Sequence, residues 1–308
     1  MRLWRTGTIT ARTRTFSGCD RFEVHTEDGP VRAVAYHAIV GHLRVGERVI
    51  MNCAALARGL GTGGVAFVIA PADRLPDDDR ESFGHIVKGR YLPTQVMVGA
   101  VDEQDSPHHE VFCDPAPLTG VPVVVADLHS AVPAVLAGLR LDRPQARAAY
   151  VMSDGAALPA AFSVSAALMR EAGLLEGIVT CGQSFGGDLE ATSVANGIIA
   201  AHRVLNADVV VIAQGPGNVG TGTTYGFSGL DTAWHLAQAR MVGAVPIAVA
   251  RASGADPRAR HRGLSHHSTT VLDDALTFPV HLPVPAATEG TPVNSAHEAL
   301  RTAASARG

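Results

Sequence analysis

Residues 260–270, RHRGLSHHSTT, carry three imidazoles, two guanidinium groups and four hydroxyls. Imidazoles bind divalent metals or move protons near neutral pH. Guanidinium groups hold carboxylates and phosphates through paired hydrogen bonds. The segment follows the apolar run VPIAVA, so it is a candidate for part of a site at the end of a strand. The alternative is a surface loop whose histidines and arginines face water.

A glycine-rich segment, QGPGNVGTGTT, follows another apolar run and is a candidate anion-binding loop. Glycines allow backbone N–H groups to close around an anion. The spacing G-x-G-x-x-G is present, but the loop does not follow the first βα unit and no acid is placed for a ribose. Phosphate or carboxylate binding, a tight packing turn and a dinucleotide site are therefore the alternatives. The predicted ligand-binding residues are Gly215, Gly217, Gly220, Thr221, Gly222, Thr223, Arg258, Arg260 and Arg262.

Acids and imidazoles also follow the other apolar runs. Carboxylates and imidazoles without thiolates suit Mg²⁺, Mn²⁺, Fe²⁺ or Zn²⁺, although no spaced motif such as HExxH is present. The predicted metal ligands are His129, Asp188, Asp256, His266 and His267. The predicted catalytic residues are His129, Asp154, Asp188, Glu190 and His267. Adjacent side chains of an extended segment point to opposite faces, so at most one of the two neighbouring histidines need face the site.

Structural roles compete with these assignments. Asp188 could cap a helix beginning at the next residue, and Glu190 could then complement the dipole of its first turn. Asp256, which precedes a proline, could open a turn, and His129 could satisfy a local backbone group. Cys181, at the end of a run, is a further candidate nucleophile with a histidine as its base, although buried cysteines are usually inert.

The candidate residues lie at the ends of apolar runs that alternate with amphipathic helical stretches. Runs that are apolar on both faces predict strands of a parallel sheet covered by helices on both sides. The runs are VPVVVAD, ARAAYVMSD, LEGIVTCG, ADVVVIAQG and AVPIAVARA. The predicted fold class is therefore α/β, with a Rossmann-like, mostly parallel sheet in residues 118–280. Because the carboxyl ends of parallel strands meet at one edge, the polar loops are expected to line one cleft.

Residues 1–70 have a different pattern, with short β-branched runs separated by turns such as EDGP at 27–30. This pattern predicts a small N-terminal β-barrel or sandwich in which Gly29 takes a positive φ. Residues 71–117 are expected to form a linker and connector strands, and residues 281–308 a tail with one short helix. Lys88, the single lysine of the chain, is the only residue available for Schiff-base chemistry.

Composition and charge narrow the range of partners. A net charge of −4 and a pI near 6.4 give no field that attracts nucleic acid or anionic lipid, so a small ligand is the expected partner. No apolar stretch reaches the ~18 residues of a membrane span, and the start MRLWRTGTITARTR lacks the apolar core of a secretory signal. Four widely spaced cysteines suit a reducing compartment. We expect a cytoplasmic protein without nucleic-acid or membrane partners, and self-association is left open.

Several longer motifs carry a resemblance to a known family. They are LGTGGVAFV, GHIVKGRYLPTQ, YVMSDGAALP, GQSFGGDLEA, GPGNVGTGT and RHRGLSHHSTT. In these motifs, over about residues 1–275, the chain resembles a bacterial domain-of-unknown-function family. The resemblance implies a shared architecture, and it implies no activity, cofactor or catalytic residue.

The residues themselves point to an enzyme that acts on a small anionic substrate, a phosphate or a carboxylate. Metal-assisted hydrolysis or group transfer is the predicted chemistry, with a divalent metal as the candidate cofactor. A non-catalytic ligand-binding or regulatory protein that uses the same cleft is the main alternative, and an interaction protein without a small ligand is the third.

Overall fold

Five N-terminal strands close into a barrel in this computed structural model, which describes residues 3–61, 63–76 and 84–284 together with 298, 300–302 and 305. The strands are β1 (Trp4–Phe16), β2 (Cys19–Thr26), β3 (Gly29–Tyr36), β4 (Arg48–Asn52) and β5 (Ala66–Pro71), and their order around the barrel is β1-β2-β3-β5-β4. Two one-turn helices lie between strands, α1 (His37–Val40) and α2 (Ala54–Ala57). The predicted β module is therefore a closed barrel.

Alternation along the strands fills this barrel. On β2, Phe22 and Val24 are fully buried, whereas Glu23 and His25 face solvent. Successive side chains of a strand point to opposite faces, so one face of β2 supplies the core. In the turn between β2 and β3, Gly29 has a φ of 107°, which agrees with the predicted positive value.

A connector joins the barrel to the larger sheet. It contains a short hairpin, β6 (Ile86–Lys88) and β7 (Val96–Val98), followed by the one-turn helix α3 (Glu110–Cys113). The side chain of Lys88 is fully buried, and its Nζ donates to the backbone oxygen of Ser184 at 3.0 Å and lies 3.4 Å from Oε2 of Glu190. The single lysine thus holds the hairpin against the edge of the sheet.

Six parallel strands form the sheet of the second part. They are β8 (Pro122–Ala126), β9 (Ala148–Ser153), β10 (Gly177–Cys181), β11 (Leu189–Ala191), β12 (Val209–Gln214) and β13 (Val245–Val249), in the order β11-β10-β9-β12-β8-β13. Every residue of β9 and β12 is buried, which explains why these runs are apolar throughout. The predicted Rossmann-like parallel sheet is confirmed.

Four helices cover the two faces of this sheet. They are α4 (Ala131–Asp142), α5 (Val164–Glu171), α6 (Val194–Arg203) and α7 (Thr232–Met241). Helices α6 and α7 pack on one face through Ile198 and Leu236, and α4 packs on the other through Leu136, which lies in the same core as Tyr150. Among the described residues, no helix combines the length and apolar character needed to cross a membrane.

Phe162 and its neighbour Ala161 join the barrel to the sheet region. The ring of Phe162 lies 5.9 Å from that of Phe67, centroid to centroid, and Cys19 Sγ donates to the backbone oxygen of Ala161 at 3.1 Å. Ala161 and Phe162 directly precede α5, so the barrel packs on the side of the sheet that carries this helix.

One predicted helix begins later than the sequence suggests. Leu189–Ala191 is the short edge strand β11, and α6 begins at Val194 with Ser193 as its cap. Asp188 is therefore not a helix cap, because it precedes a strand. The chain after β13 forms β14 (Ala252–Ser253), β15 (Gly263–Leu264) and α8 (His266–Thr270). Most of the predicted C-terminal helix lies outside the described residues.

Candidate functional site

The carboxyl ends of three neighbouring strands, β12, β8 and β13, bring candidate residues together. Asp127 follows β8, Gln214 ends β12, and β13 leads into residues 250–270. The side-chain amide of Gln214 donates to the backbone oxygen of Asp127 at 2.9 Å and so ties two of these ends to each other. The candidate site lies where ligands bind in open parallel sheets.

Three histidines, His261, His266 and His267, form what we term the histidine cluster. One ring nitrogen of each lies within 4.8 Å of the others. His261 and His267 are buried, and the ring centroids of His266 and His267 are 4.4 Å apart. Phe227 stacks on His267 with an angle of 2° between the ring planes and 4.0 Å between the centroids. This stacking fixes the plane of the His267 imidazole.

Helix α8 explains why two adjacent histidines converge. The hydroxyl of Ser265 accepts from the backbone N–H of His267 at 3.3 Å and so caps the helix, while the same oxygen lies 2.8 Å from Nδ1 of His261. Successive side chains of a helix are rotated by about 100°, not by the 180° of a strand. Both His266 and His267 therefore reach the cluster, and the expectation based on an extended segment does not hold.

Asp127 faces the histidine cluster from the end of β8. Its Oδ2 lies 3.8 Å from Nδ1 of His267, and both atoms are buried without a hydrogen-bond partner. Nε2 of His266 is also buried and unpartnered. Buried polar atoms without a partner are rare and cost free energy. The carboxylate of Asp127 thus lies beside the cluster, but it does not belong to the group of ligand atoms that lie within 4.8 Å of one another.

The surroundings keep two of the imidazoles neutral. Burial, with Arg251 and Arg258 nearby, lowers the pKa of His261 to about 4. Burial, with His267 and Arg260 nearby, also lowers the pKa of His266. Neutral imidazole is the form that binds metals, and these two rings are in that form at pH 7.

The glycine-rich loop borders the histidine cluster but folds as a hairpin. Gly220 pairs with Phe227, and the backbone N–H of Thr221 donates to Gly226 at 2.8 Å. A Cβ placed on Gly220 would lie 3.9 Å from Nε2 of His267, so the loop passes directly beside the cluster. Gly215 has no room for a side chain because a Cβ there would meet the backbone of Ala157. The hairpin delays α7, unlike the dinucleotide-binding turn, where a helix starts at once.

The three predicted arginines differ in their surroundings. Arg258 binds Asp256 through two hydrogen bonds of 3.0 Å, and Arg251 lies 3.3 Å from the same carboxylate. These bonds hold the pKa of Asp256 well below its usual value. Arg260 is exposed, and its Nη1 would lie 3.8 Å from a Cβ on Gly222 of the loop. Arg262 is exposed. Arg260 is thus the arginine that the structure places beside the loop.

His129 lies on the other side of the sheet, against α5. Its Nδ1 is 3.0 Å from the hydroxyl of Tyr150, and its Nε2 is 2.6 Å from Oγ of Ser163 and 3.0 Å from Oγ of Ser165. Burial lowers the pKa of His129 to about 4. Among the described residues, His129, Asp188 and Asp256 do not belong to any set of three possible metal ligands whose ligand atoms lie within 4.8 Å of one another.

Other predicted residues are engaged in structural pairs. Asp188 binds Arg170 at 2.5 Å and accepts from the backbone N–H of Ile178. Glu190 is the buried partner of Lys88, and burial raises its pKa. Asp154 is exposed and accepts from the backbone N–H of Gln183 at 2.8 Å.

Cys181 is fully buried in the core of the sheet, and burial raises the pKa of its thiol. A protonated, inaccessible thiol is a poor nucleophile.

Asp127 and His261 are members of the candidate site that are absent from the predicted ligands. Asp127 directly follows the apolar residues of β8. An acidic residue at the end of a predicted strand is a sequence feature that could have identified it as a site residue. His261 comes five residues before His266, and this spacing matches no metal motif. Only the fold of the segment, through β15 and the cap at Ser265, brings His261 back to the others.

The family comparison agrees with the resemblance noted in the sequence. No curated protein is significantly similar to this chain. A family model described as protein of unknown function (DUF3866) matches residues 32–307, which include part of the barrel, the sheet and the histidine cluster. The chain therefore belongs to the DUF3866 family of proteins of unknown function.

Proposed function

We propose that the protein is an enzyme that binds a divalent metal at the histidine cluster and hydrolyses, or transfers a group from, a small anionic substrate. One observation carries the proposal. The cluster places one ring nitrogen of each of three histidines within 4.8 Å of the others at the carboxyl edge of the sheet, and Nε2 of His266 is buried there without a hydrogen-bond partner. A metal would supply the missing partner.

Zinc is the ion that these ligands suit best. Imidazole nitrogens bind Zn²⁺ at ~2.0–2.1 Å, so nitrogens around a tetrahedral ion lie ~3.4 Å apart. Small side-chain rotations would bring the nitrogens of the cluster, now within 4.8 Å of one another, to that spacing. Three protein ligands leave a position open for water or substrate, and the bound ion would lower the pKa of that water and polarise a substrate oxygen.

Asp127 would orient His267. A carboxylate beside the second nitrogen of a metal-bound imidazole fixes the ring and increases its basicity. The cavity on this side of His267, which Thr232, Ala248 and Val271 also line, has a volume of about 10 Å³, which is near the volume that one water molecule requires. The substrate would therefore approach from the other side, where the glycine-rich loop and Arg260 are exposed. A guanidinium group there would hold a phosphate or carboxylate.

Free thiols are consistent with a cytoplasmic location. All four cysteines are free, and Cys19, Cys53 and Cys181 are buried. Reduced, buried cysteines are usual in the cytoplasm. A cytoplasmic enzyme is therefore part of the proposal.

Zinc binding and turnover by matched variants test the proposal. The full chain, stripped of metal, would be titrated with Zn²⁺, alongside His266→Ala, His267→Ala and the control His25→Ala on the exposed face of β2. We expect both cluster variants to lose one zinc equivalent and the control to keep it. The zinc-loaded protein would then be assayed on phosphate-ester and carboxylate-ester panels, and the cluster variants should lose at least ~10-fold in rate.

Two results would overturn this proposal. Unchanged zinc stoichiometry in both cluster variants would show that the histidine cluster is not a metal site. Stabilisation of the zinc-loaded protein by phosphate or carboxylate compounds, without turnover of any of them, would instead support the alternative of a ligand-binding regulatory protein.

A further inference from the structure

We propose a second metal site on the barrel, formed by Asp20, His37 and His42, which shares no residue with the histidine cluster. One ligand atom of each lies within 4.8 Å of the others. Nε2 of His37 is buried without a hydrogen-bond partner, although it lies only 3.1 Å from Oδ2 of Asp20. The ring centroids of His37 and His42 are 4.2 Å apart.

The carboxylate of this site is held in place before any ion binds. The hydroxyl of Thr15 donates to Oδ1 of Asp20 at 2.7 Å, which leaves Oδ2 turned toward His37. The side chain of Asp20 is 3% exposed, so its position at the start of β2 is fixed by the surrounding barrel. A hydrogen bond to the outer oxygen of a ligating carboxylate is a common feature of metal sites.

Backbone geometry brings the two histidines to the same side. His37 begins α1 directly after β3, and its N–H donates to the backbone oxygen of Gly18 at 3.0 Å. Helix α1 ends after one turn at Gly41, whose φ of 65° is in the left-handed region that favours glycine. The chain therefore reverses, and His42 returns beside His37 on the solvent side.

The ligand set selects the class of ion. Two imidazoles and one carboxylate suit first-row divalent transition metals such as Fe²⁺, Co²⁺, Ni²⁺ and Zn²⁺, and they leave coordination positions open. His42 is exposed, so those positions face solvent. The site has the composition of a metal centre with room for water or a small ligand.

Arg12 is the charged neighbour that the ion must displace. Its Nε lies 3.7 Å from Oδ2 of Asp20, and its side chain is 44% exposed. Arg21, next to Asp20 in sequence, lies over the ring of Phe16 and not beside the carboxylate. Nη2 of Arg12 donates to the backbone oxygen of Leu43 at 2.7 Å, so Arg12 is held beside Asp20 in the metal-free protein, and a dication that binds must compete with this half-exposed guanidinium for the carboxylate.

Stoichiometry with Co²⁺ and Zn²⁺ as probes tests the proposal. The full chain would be titrated as wild type, His42→Ala, Asp20→Asn and His267→Ala, and as the double variant His42→Ala/His267→Ala. We expect His42→Ala and Asp20→Asn each to weaken one binding event at least ~10-fold, and the double variant to show the same loss relative to His267→Ala. His42 is exposed, so its removal leaves the fold intact, and His25→Ala is the matched control on the same barrel.

The outcomes separate this site from the histidine cluster. Loss of one equivalent in His42→Ala relative to the wild type, and in the double variant relative to His267→Ala, supports the barrel site whether or not the cluster binds metal. Equal stoichiometry and affinity in His42→Ala, Asp20→Asn and the wild type would overturn it. Visible Co²⁺ bands that persist in His267→Ala and vanish in the double variant give the same test by a second measurement.

Discussion

Unpartnered buried atoms are the residue-scale feature that distinguishes the candidate site. Seven such side-chain atoms occur in the described residues, and five of them belong to Asp127, Ser153, Gln214, His266 and His267. Each buried group without a hydrogen bond costs on the order of 1–3 kcal/mol. Such unpartnered atoms are most easily explained where a bound ligand supplies the missing hydrogen bonds. These five atoms all lie at one edge of the sheet, which is where we place the candidate site.

Arg260 and Arg258 give a residue-scale prediction about the anion. Arg258 is already held by Asp256, whereas Arg260 is exposed beside the glycine-rich loop. Arg260→Ala should therefore weaken phosphate binding to the zinc-loaded protein about tenfold, the lower range for a charge-assisted hydrogen bond. Arg258→Ala should leave it nearly unchanged. Calorimetry with inorganic phosphate measures both, and equal losses would show that Arg260 has no special role.

At the scale of single residues, the sequence predicts the type of chemistry better than it predicts which residues take part in it. The segment that contains His266 and His267 is identifiable from its composition, because imidazoles after an apolar strand are unusual. Asp188 and Glu190 carry the same chemistry, but each is bound to a cation of the scaffold, Arg170 or Lys88. Pairings between residues far apart in sequence are set by the sheet order, which one sequence does not reveal.

Helix α6 shows how closely the elements under the site are packed. Gly197 lies in this helix where it crosses the sheet, and a Cβ there would overlap Sγ of Cys181 and lie 3.0 Å from Cγ1 of Val151. The glycine lets the helix approach β9 and β10 at close range. The same approach buries Cys181, which explains why this cysteine has no access to substrate.

Two glycine substitutions test this packing at the scale of the element. Gly197→Ala should destabilise the protein by about 1–3 kcal/mol, since the added methyl group overpacks the core. Gly138→Ala is the matched control, because Gly138 is exposed on α4 and a Cβ there has no atom within 4 Å. That change should stabilise the helix by about 0.5–1 kcal/mol. Urea unfolding measures both, and a stabilising Gly197→Ala would contradict the close approach.

The apolar runs predict the major elements because burial on both faces leaves a clear sequence signal. Strands β8, β9, β10, β12 and β13 all fall within predicted runs. The edge strand β11 is too short for such a signal, and its sequence, LEA, is equally compatible with the start of a helix. Its pairing with β10 decides the outcome, and that is a tertiary contact.

For the whole molecule, buried neutral histidines predict how stability depends on pH. Burial lowers the pKa of His129 and of His235 to about 4 in the folded state. In the unfolded chain these groups titrate near pH 6.5, so between about pH 6.5 and 4 the unfolded state binds more protons. The free energy of unfolding should thus fall as the pH drops through this range, by up to about 1.4 kcal/mol per pH unit for each histidine.

Urea unfolding of the metal-free protein at pH 7.5, 6 and 5 checks this dependence. His129→Gln should flatten the slope of stability against pH, whatever it does to stability at pH 7.5. Stability that stays constant from pH 7.5 to 5 would show that the folded and unfolded states take up the same number of protons over this range, which would contradict the lowered pKa values of these imidazoles.

The burial of Lys88 has a practical consequence for chemical labelling. Because this is the single lysine of the chain and its side chain is fully buried, the folded surface offers no lysine amine to acylating dyes or amine-reactive cross-linkers. Modification of Lys88 requires the β6–β7 hairpin to leave the sheet edge, where Nζ donates a hydrogen bond to the backbone oxygen of Ser184. The rate of acylation at this one side chain therefore reports how often that edge opens, without any engineered probe.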